Sequence, residues 1–168
     1  MNLFRSMLAT PFGSMQIAVD AEGVLVEICL PNRGHGDETP QPWPQKARGG
    51  ANEAAAQLGE YFSRKRLDFE LRLNPQGSNF ERIVWHRLRA IPYGATASYG
   101  AIAMELGLIN GARAVGRANG ANPIPIVIPC HRVIGTDGTL TGYGGGLPLK
   151  RALLEMEGAI EAAAPRLF

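Results

Sequence analysis

The chain has 168 residues, 45% hydrophobic and 19% charged, a globular balance that excludes intrinsic disorder and supports one core or two small subdomains sharing one. No apolar run reaches the roughly 20 residues a bilayer-spanning helix needs, and the first residues lack the basic head and apolar stretch of a secretory signal. Two cysteines in unlike contexts, Cys29 and Cys130, argue against a disulfide framework and for a reducing, cytoplasmic setting.

Residues 3–29 read as short strands, with "SMQIAVD" and "GVLVEICL" flanking the turn "DAEG", a hairpin signal. Pro31 to Gly50 is rich in Gly and Pro, has no period and reads as an irregular loop. "ANEAAAQLGEYFSRKR" is helical, capped by Asn52 or an earlier residue, with Leu58, Tyr61 and Phe62 on one side. "LDFELRLNP" alternates at Leu67, Phe69, Leu71 and Leu73, which predicts a third strand.

The second half reads differently. "SNFERIVWHRLRAIP" is an amphipathic helix with Phe80, Ile83, Val84 and Leu88 inward, Ser78 or Asn79 as cap, and a stop at Ile91-Pro92. "SYGAIAMELG" and "NGARAVGRANG" are short helices joined by a Gly-containing turn, a helix-turn-helix pattern. "LPLKRALLEMEG" starts with Pro148 in its first turn and stops at Gly158. The expected architecture is α+β. A small N-terminal α/β part with a three-stranded antiparallel sheet, residues 1–75, precedes a mostly helical C-terminal part, residues 76–168.

Charge is uneven along this order. Residues 1–79 hold 8 Lys/Arg against 9 Asp/Glu, 80–151 hold 8 against 3, and 152–168 hold 1 against 3. The basic middle block suits a polyanionic partner, or equally a solvated face. Within it, Arg113 and Arg117 are four apart and share a helix face otherwise made of small residues. Ala112 and Gly116 would let that face approach a narrow groove, where the arginines could meet phosphates or enter the base stack. The alternative is a tightly packed internal helix.

"NPIPIVIPCHRVIG" sets three prolines around an apolar run and then places Cys130 and His131 side by side. Pro129 fixes φ ahead of the thiol. A free thiol has a pKa of about 8.5, so an imidazole that accepts its proton, directly or through a water, would make it a nucleophile. Glu157 falls in the last turn of the final helix, where a carboxylate is disfavoured by the dipole unless it pairs. Together these suggest a Cys130–His131–Glu157 relay, with "TGYGGG" as a flexible wall against a flat group. Tyr99 is either a hydrophobic plug with a wet hydroxyl or a donor to a ligand. Cys29 reads as a buried core residue, and His35 and His86 as solvated. No CxxC or HxxxH pair exists, so neither a metal nor a cofactor is expected.

These segments, with "SYGAIA", "ARAVGRANGANP", "GYGGG" and "LLEMEG", resemble the O6-alkylguanine-DNA alkyltransferase (methylated-DNA–protein-cysteine methyltransferase) family, in register from Phe80 to Gly158. The resemblance implies a ribonuclease H-like N-terminal part and irreversible, single-turnover transfer of an alkyl group from O6 of guanine in DNA to Cys130. O4-alkylthymine is a further candidate lesion. His131 would deprotonate the thiol and Glu157 would hold His131. Tyr99 would donate toward N3 of the departing guanine, and Arg113 would fill the hole left by the flipped nucleotide. Asn122 would brace the turn into the active-site strand. Tyr143 would wall a pocket completed by Gly144, Gly145, Lys150, Pro125 and Val133. Gly144 stands where some relatives carry a serine hydroxyl, leaving room for alkyl groups larger than methyl. The implied partner is double-stranded DNA, bound without a membrane and as a monomer, and flipping the base costs a few kcal/mol. Two other readings compete: a helix-turn-helix lesion-sensing module without transfer, and a Cys–His hydrolase, against which no separate oxyanion hole is evident.

Overall fold

The computed structural model describes residues 1–162, so positions 163–168 of the expected C-terminal part lie outside the described residues. Three strands, β1 (Phe4–Thr10), β2 (Gly13–Val19) and β3 (Leu25–Cys29), form an antiparallel meander in the order β1-β2-β3. The turn between β2 and β3 is the predicted one, closed by Asp20, whose Oδ1 accepts from the amides of Glu22 and Val24. Helix α1 (Gln45–Phe62) lies on this sheet through Ala47, Ala51, Ala54, Leu58 and Tyr61, a stripe at helical spacing. Gly50 lets α1 approach the hairpin, since a Cβ there would fall 2.0 Å from the Gly23 carbonyl oxygen.

Two expectations need correction here. The helix begins at Gln45, after Pro44, so the irregular loop ends six residues earlier than Gly50. "LDFELRLNP" is no ladder strand: the three strands all lie between residues 4 and 29. The segment makes one bridge, Leu25 to Leu73, with bonds to and from the Arg72 carbonyl and Asn74 amide at 3.0 and 2.9 Å. That bridge is parallel, so the residues before Leu73 run past the β2–β3 turn and not along β3. The Arg72 side chain donates to the Glu22 carbonyl at 2.7 Å, and the Glu70 amide and carbonyl bond the Gln57 side chain of α1 at 2.9 and 3.2 Å. Alternation alone does not make a strand where the backbone groups are satisfied by a side chain.

Helix α2 (Asn79–Leu88) starts in a capping box in which Ser78 and Glu81 satisfy each other's amides. Its buried residues are Val84, Trp85 and Leu88, whereas Ile83 is 54% exposed. The helix is rotated so that Trp85 enters the core and donates from Nε1 to the Ala118 carbonyl at 2.7 Å. That bond ties α2 to α4 (Ala112–Gly120), which also packs on α3 (Tyr99–Glu105). The short parallel pair β4 (Ala97–Ser98) and β5 (Val133–Ile134) joins the start of α3 to the chain just after the thiol. Helix α5 (Leu147–Met156) ends at Glu157. No described helix is long and apolar enough to cross a membrane.

Candidate active site

The thiol is delivered by a turn, which corrects the expectation of a strand there. The Ile128 amide donates to Ile124 at 2.9 Å, closing residues 124–128 into a tight loop. Asn122 brackets it from both ends: its Oδ1 accepts from the Ile124 amide at 3.0 Å and its Nδ2 donates to the Ile128 carbonyl at 2.8 Å. Inside the loop Ile126 is fully buried with φ at +73°, a conformation that costs a β-branched residue on the order of 1–3 kcal/mol and persists only where its surroundings impose it. Prolines 123, 125 and 129 restrict the rest. Cys130, 5% exposed, then opens a single 3-10 turn, Cys130–Arg132, and Asn119 donates to its carbonyl at 3.3 Å.

Behind the thiol lies a buried ionic cluster. His131, wholly buried, meets Glu157 Oε1 through Nε2 at 2.8 Å. Arg132 donates to both oxygens of the same carboxylate, Nε to Oε2 and Nη2 to Oε1, each at 2.9 Å, and to the Ile91 carbonyl at 2.7 Å. Tyr61 of α1 donates to Oε1 at 2.6 Å. Burial alone would raise the Glu157 pKa, but the bonds from His131 and Arg132, and their charges, prevail and hold it at about 2. Burial lowers the His131 pKa despite the carboxylate, so the ring is neutral at pH 7. With Nε2–H donated to Glu157, Nδ1 is the basic nitrogen, and it is buried with no partner among the described residues. Burial pushes Cys130 to about 11, opposed by Asn122 and by the charge of Lys150. At rest the thiol is uncharged, and among the described residues no hydrogen bond joins it to Nδ1.

Above the thiol is a cavity of about 600 Å³. Cys130, Tyr99, Asn122, Tyr143 and Gly144 line it, as do Pro125 and Gly116 of α4. A Cβ at Gly116 would touch the Tyr99 ring at 3.7 Å, an ordinary contact, so this glycine widens the cavity without being sterically required. The Tyr143 hydroxyl is buried with no partner among the described residues, and burial, with Cys130 and Glu157 as neighbours, holds it protonated. Tyr99 Oη lies 3.4 Å from the Thr141 carbonyl.

Lys150 and Val133 act from behind the cavity and do not line it. Lys150 is fully buried, and its Nζ donates to the carbonyls of Val133 and Thr141 at 2.6 and 2.9 Å. It thereby anchors the glycine loop to β5, at the expense of a pKa lowered by burial to about 8. Gly145 also faces away from the cavity: a Cβ there would fall 2.6 Å from Leu149 and 3.0 Å from Leu30. Arg113 and Arg117 are exposed on α4, and Ala112 is half-buried at its start.

Four participants went unassigned in the sequence. Arg132 and Tyr61 complete the carboxylate cluster. Arg33 lines the cavity and donates to the Gly144 carbonyl at 3.1 Å, across 111 positions. Cys29 is half-buried and lines the same cavity, so it is not the core residue its strand suggested, because it ends β3 on the face that opens toward Asn122 and Pro123. His35 is likewise half-buried, 3.3 Å from the Leu30 carbonyl, while His86 is exposed. Among the described residues no group of three His, Cys, Asp or Glu could hold a metal ion.

Comparison with known proteins places this geometry. The family model "6-O-methylguanine DNA methyltransferase, DNA binding domain" matches residues 79–159. A Mycolicibacterium paratuberculosis protein named methylated-DNA–protein-cysteine methyltransferase is 50% identical over 136 residues, 79% of this chain and 82% of its own. A Methanosarcina acetivorans protein of the same name is 40% identical over 157 residues, 94% of this chain and 99% of its own. The crystal structure of Mycobacterium tuberculosis O6-methylguanine methyltransferase superposes with a TM-score of 0.82 at 40% identity, covering 97% of each chain. Mycobacterium tuberculosis OGT in complex with DNA superposes with a TM-score of 0.81 at 42% identity, covering 93% of each. On these grounds the chain belongs to the methylated-DNA–protein-cysteine methyltransferase family.

Proposed function

We propose that this protein reverses alkylation damage in DNA by moving the alkyl group from O6-alkylguanine to Cys130, once per molecule. The observation that carries the reading is the buried thiol at the cavity beside His131, whose Nε2 is committed to Glu157 and whose Nδ1 is free. The Cys130 proton passes to Nδ1, directly or through a water. Sγ then forms a bond to the alkyl carbon as the carbon–O6 bond breaks, and its electron pair leaves with guanine. The resulting thioether has no base-catalysed return, so the protein is consumed. Asn122 and the proline-bearing loop fix the direction of attack.

The relatives are named for methylated DNA, and one superposed structure holds DNA. Duplex stacking hides O6, so the base must be flipped into the cavity. In this reading α3 and α4 form a helix-turn-helix, with Arg113 as the side chain that enters the vacated stack, Arg117 on phosphate, and Ala112 and Gly116 permitting close approach. Tyr99 donates to the leaving guanine, and Tyr143 and Gly144 wall it. Residues 1–75 and 76–168 act as a supporting and a reacting part, inside the cell and on the nucleoid.

Intact mass and peptide mapping after incubation with an O6-methylguanine duplex test this directly. One methyl group per chain, on Cys130, is expected, with no repair beyond one equivalent. An unmodified protein that still binds the duplex would make it a lesion-sensing module.

A further inference from the structure

We infer that Tyr61, on the helix packed against the N-terminal sheet, is a positioning residue of the relay: its hydroxyl fixes Glu157 and offsets part of the carboxylate charge, so that His131 meets the thiol as a neutral base. This rests on the alkyl-transfer reading.

Tyr61 is fully buried, and its bond to Glu157 Oε1 spans 96 positions. An ionised carboxylate only accepts, so the phenol is the donor. Burial and the neighbouring charge of Glu157 hold that phenol protonated far above its ordinary range. Oε1 therefore takes three donors, Tyr61 Oη, His131 Nε2 and Arg132 Nη2. Each donor draws charge from the same oxygen and weakens its hold on the imidazole proton. An aromatic cluster packs the ring: Phe62, Phe69 and Tyr93 surround Tyr61 with centroids at 5.2, 5.5 and 6.2 Å. The other titratable or charged groups facing the pair are Cys130 and Arg132 on the same turn, Lys150 from α5, Tyr93 ahead of β4 and Tyr143 from the glycine loop. Tyr61 alone among these comes from α1, so the N-terminal sheet and its helix have a part in the chemistry beyond packing.

Tyr61→Phe removes the hydroxyl and keeps the ring. Two quantities are followed against pH: the methyl-transfer rate on an O6-methylguanine duplex, and the His131 imidazole 15N shift in DNA-free protein. The expected result is an acid limb displaced upward by about half to one pH unit, with the His131 titration displaced equally and duplex affinity unchanged. Phe69→Leu loosens the cluster but keeps the hydroxyl; it should lower Tm and leave the limb in place. A Tyr61→Phe rate reduced equally at every pH, with an unmoved His131 titration, overturns the proposal. If Tyr61→Phe does not fold, 3-fluorotyrosine introduced at position 61 by stop-codon suppression is a stronger donor. It should move both quantities downward, and no movement overturns the proposal. Should the wild-type protein transfer no alkyl group, the functional reading fails, and the His131 titration still decides the role of Tyr61.

Discussion

Arg132 and Glu157 form a two-pronged buried ion pair, with both guanidinium-to-carboxylate contacts at 2.9 Å. Glu157 is pulled from 4.5 to about 2 in the folded state, so its contribution to stability is complete above pH 4.5 and is lost as pH falls toward 2. His131, lowered from 6.5 by burial, acts in the same sense, because the unfolded chain takes up its proton first. Urea unfolding followed from pH 7 to 3 should show stability falling from about pH 6.5 downward, most steeply below 4.5. Glu157→Gln should flatten the lower part of that curve. Arg132→Ala should cost about 3–5 kcal/mol at pH 7, because it leaves a buried carboxylate short of its main partner.

Cys130 should be sluggish toward ordinary thiol reagents. With its pKa pushed up to about 11 by burial, only about one molecule in ten thousand is thiolate at pH 7. Iodoacetamide labelling should therefore be slow at neutral pH and rise steadily toward pH 11. His131→Ala should cut transfer to an O6-methylguanine duplex by about 10²–10⁴, the usual worth of a positioned base. Cys130→Ala should abolish transfer and leave duplex binding in place, which gel shift and mass spectrometry would separate.

Arg113 is exposed near the start of α4 and does not line the cavity above Cys130. Arg113→Ala should slow transfer on duplex DNA far more than on free O6-alkylguanine base, because only the duplex must be unstacked. Equal loss on the two substrates, measured in single-turnover assays, would remove it from the flipping step.

Arg33 reaches from the loop after β3 to the Gly144 carbonyl, and a Cβ on Gly144 would fall 2.7 Å from its Nη1. Arg33 is exposed and therefore free to swing aside. Gly144→Ser should break this bond at a cost within about 0.5 kcal/mol of stability. Arg33→Ala should open the cavity on that side and raise the transfer rate of O6-benzylguanine relative to O6-methylguanine several-fold. An unchanged ratio would show that Arg33 does not bound the alkyl group.

Lys150 pins the glycine loop to β5 through two short bonds. Lys150→Met keeps the length and removes the donors. Amide hydrogen exchange at residues 141–146 should accelerate at least tenfold, which corresponds to about 1.4 kcal/mol of lost local protection.

What the chain order by itself determined were features whose causes are local. The capping box at Ser78–Glu81, the stop at Gly158 and the β2–β3 turn depend on residues a few positions apart, and the helices and hairpin follow from them. The thiol, imidazole and carboxylate were legible because Cys130 and His131 are neighbours and Glu157 sits where a helix end disfavours it. The tertiary structure decided everything that depends on distant partners. "LDFELRLNP" has the alternation of a strand, but its bridge to β3 is parallel, which carries its earlier residues past the β2–β3 turn, and the Glu70 backbone bonds the Gln57 side chain of α1 instead of a strand. Ile83 and Trp85 both suit a buried stripe, and only the seating of α2 on α4 chose Trp85. Tyr61 reaches Glu157 across 96 positions and Arg33 reaches Gly144 across 111. Hydrophobic periodicity orients one element at a time, and it carries no record of which buried polar groups will meet once the elements close on one another.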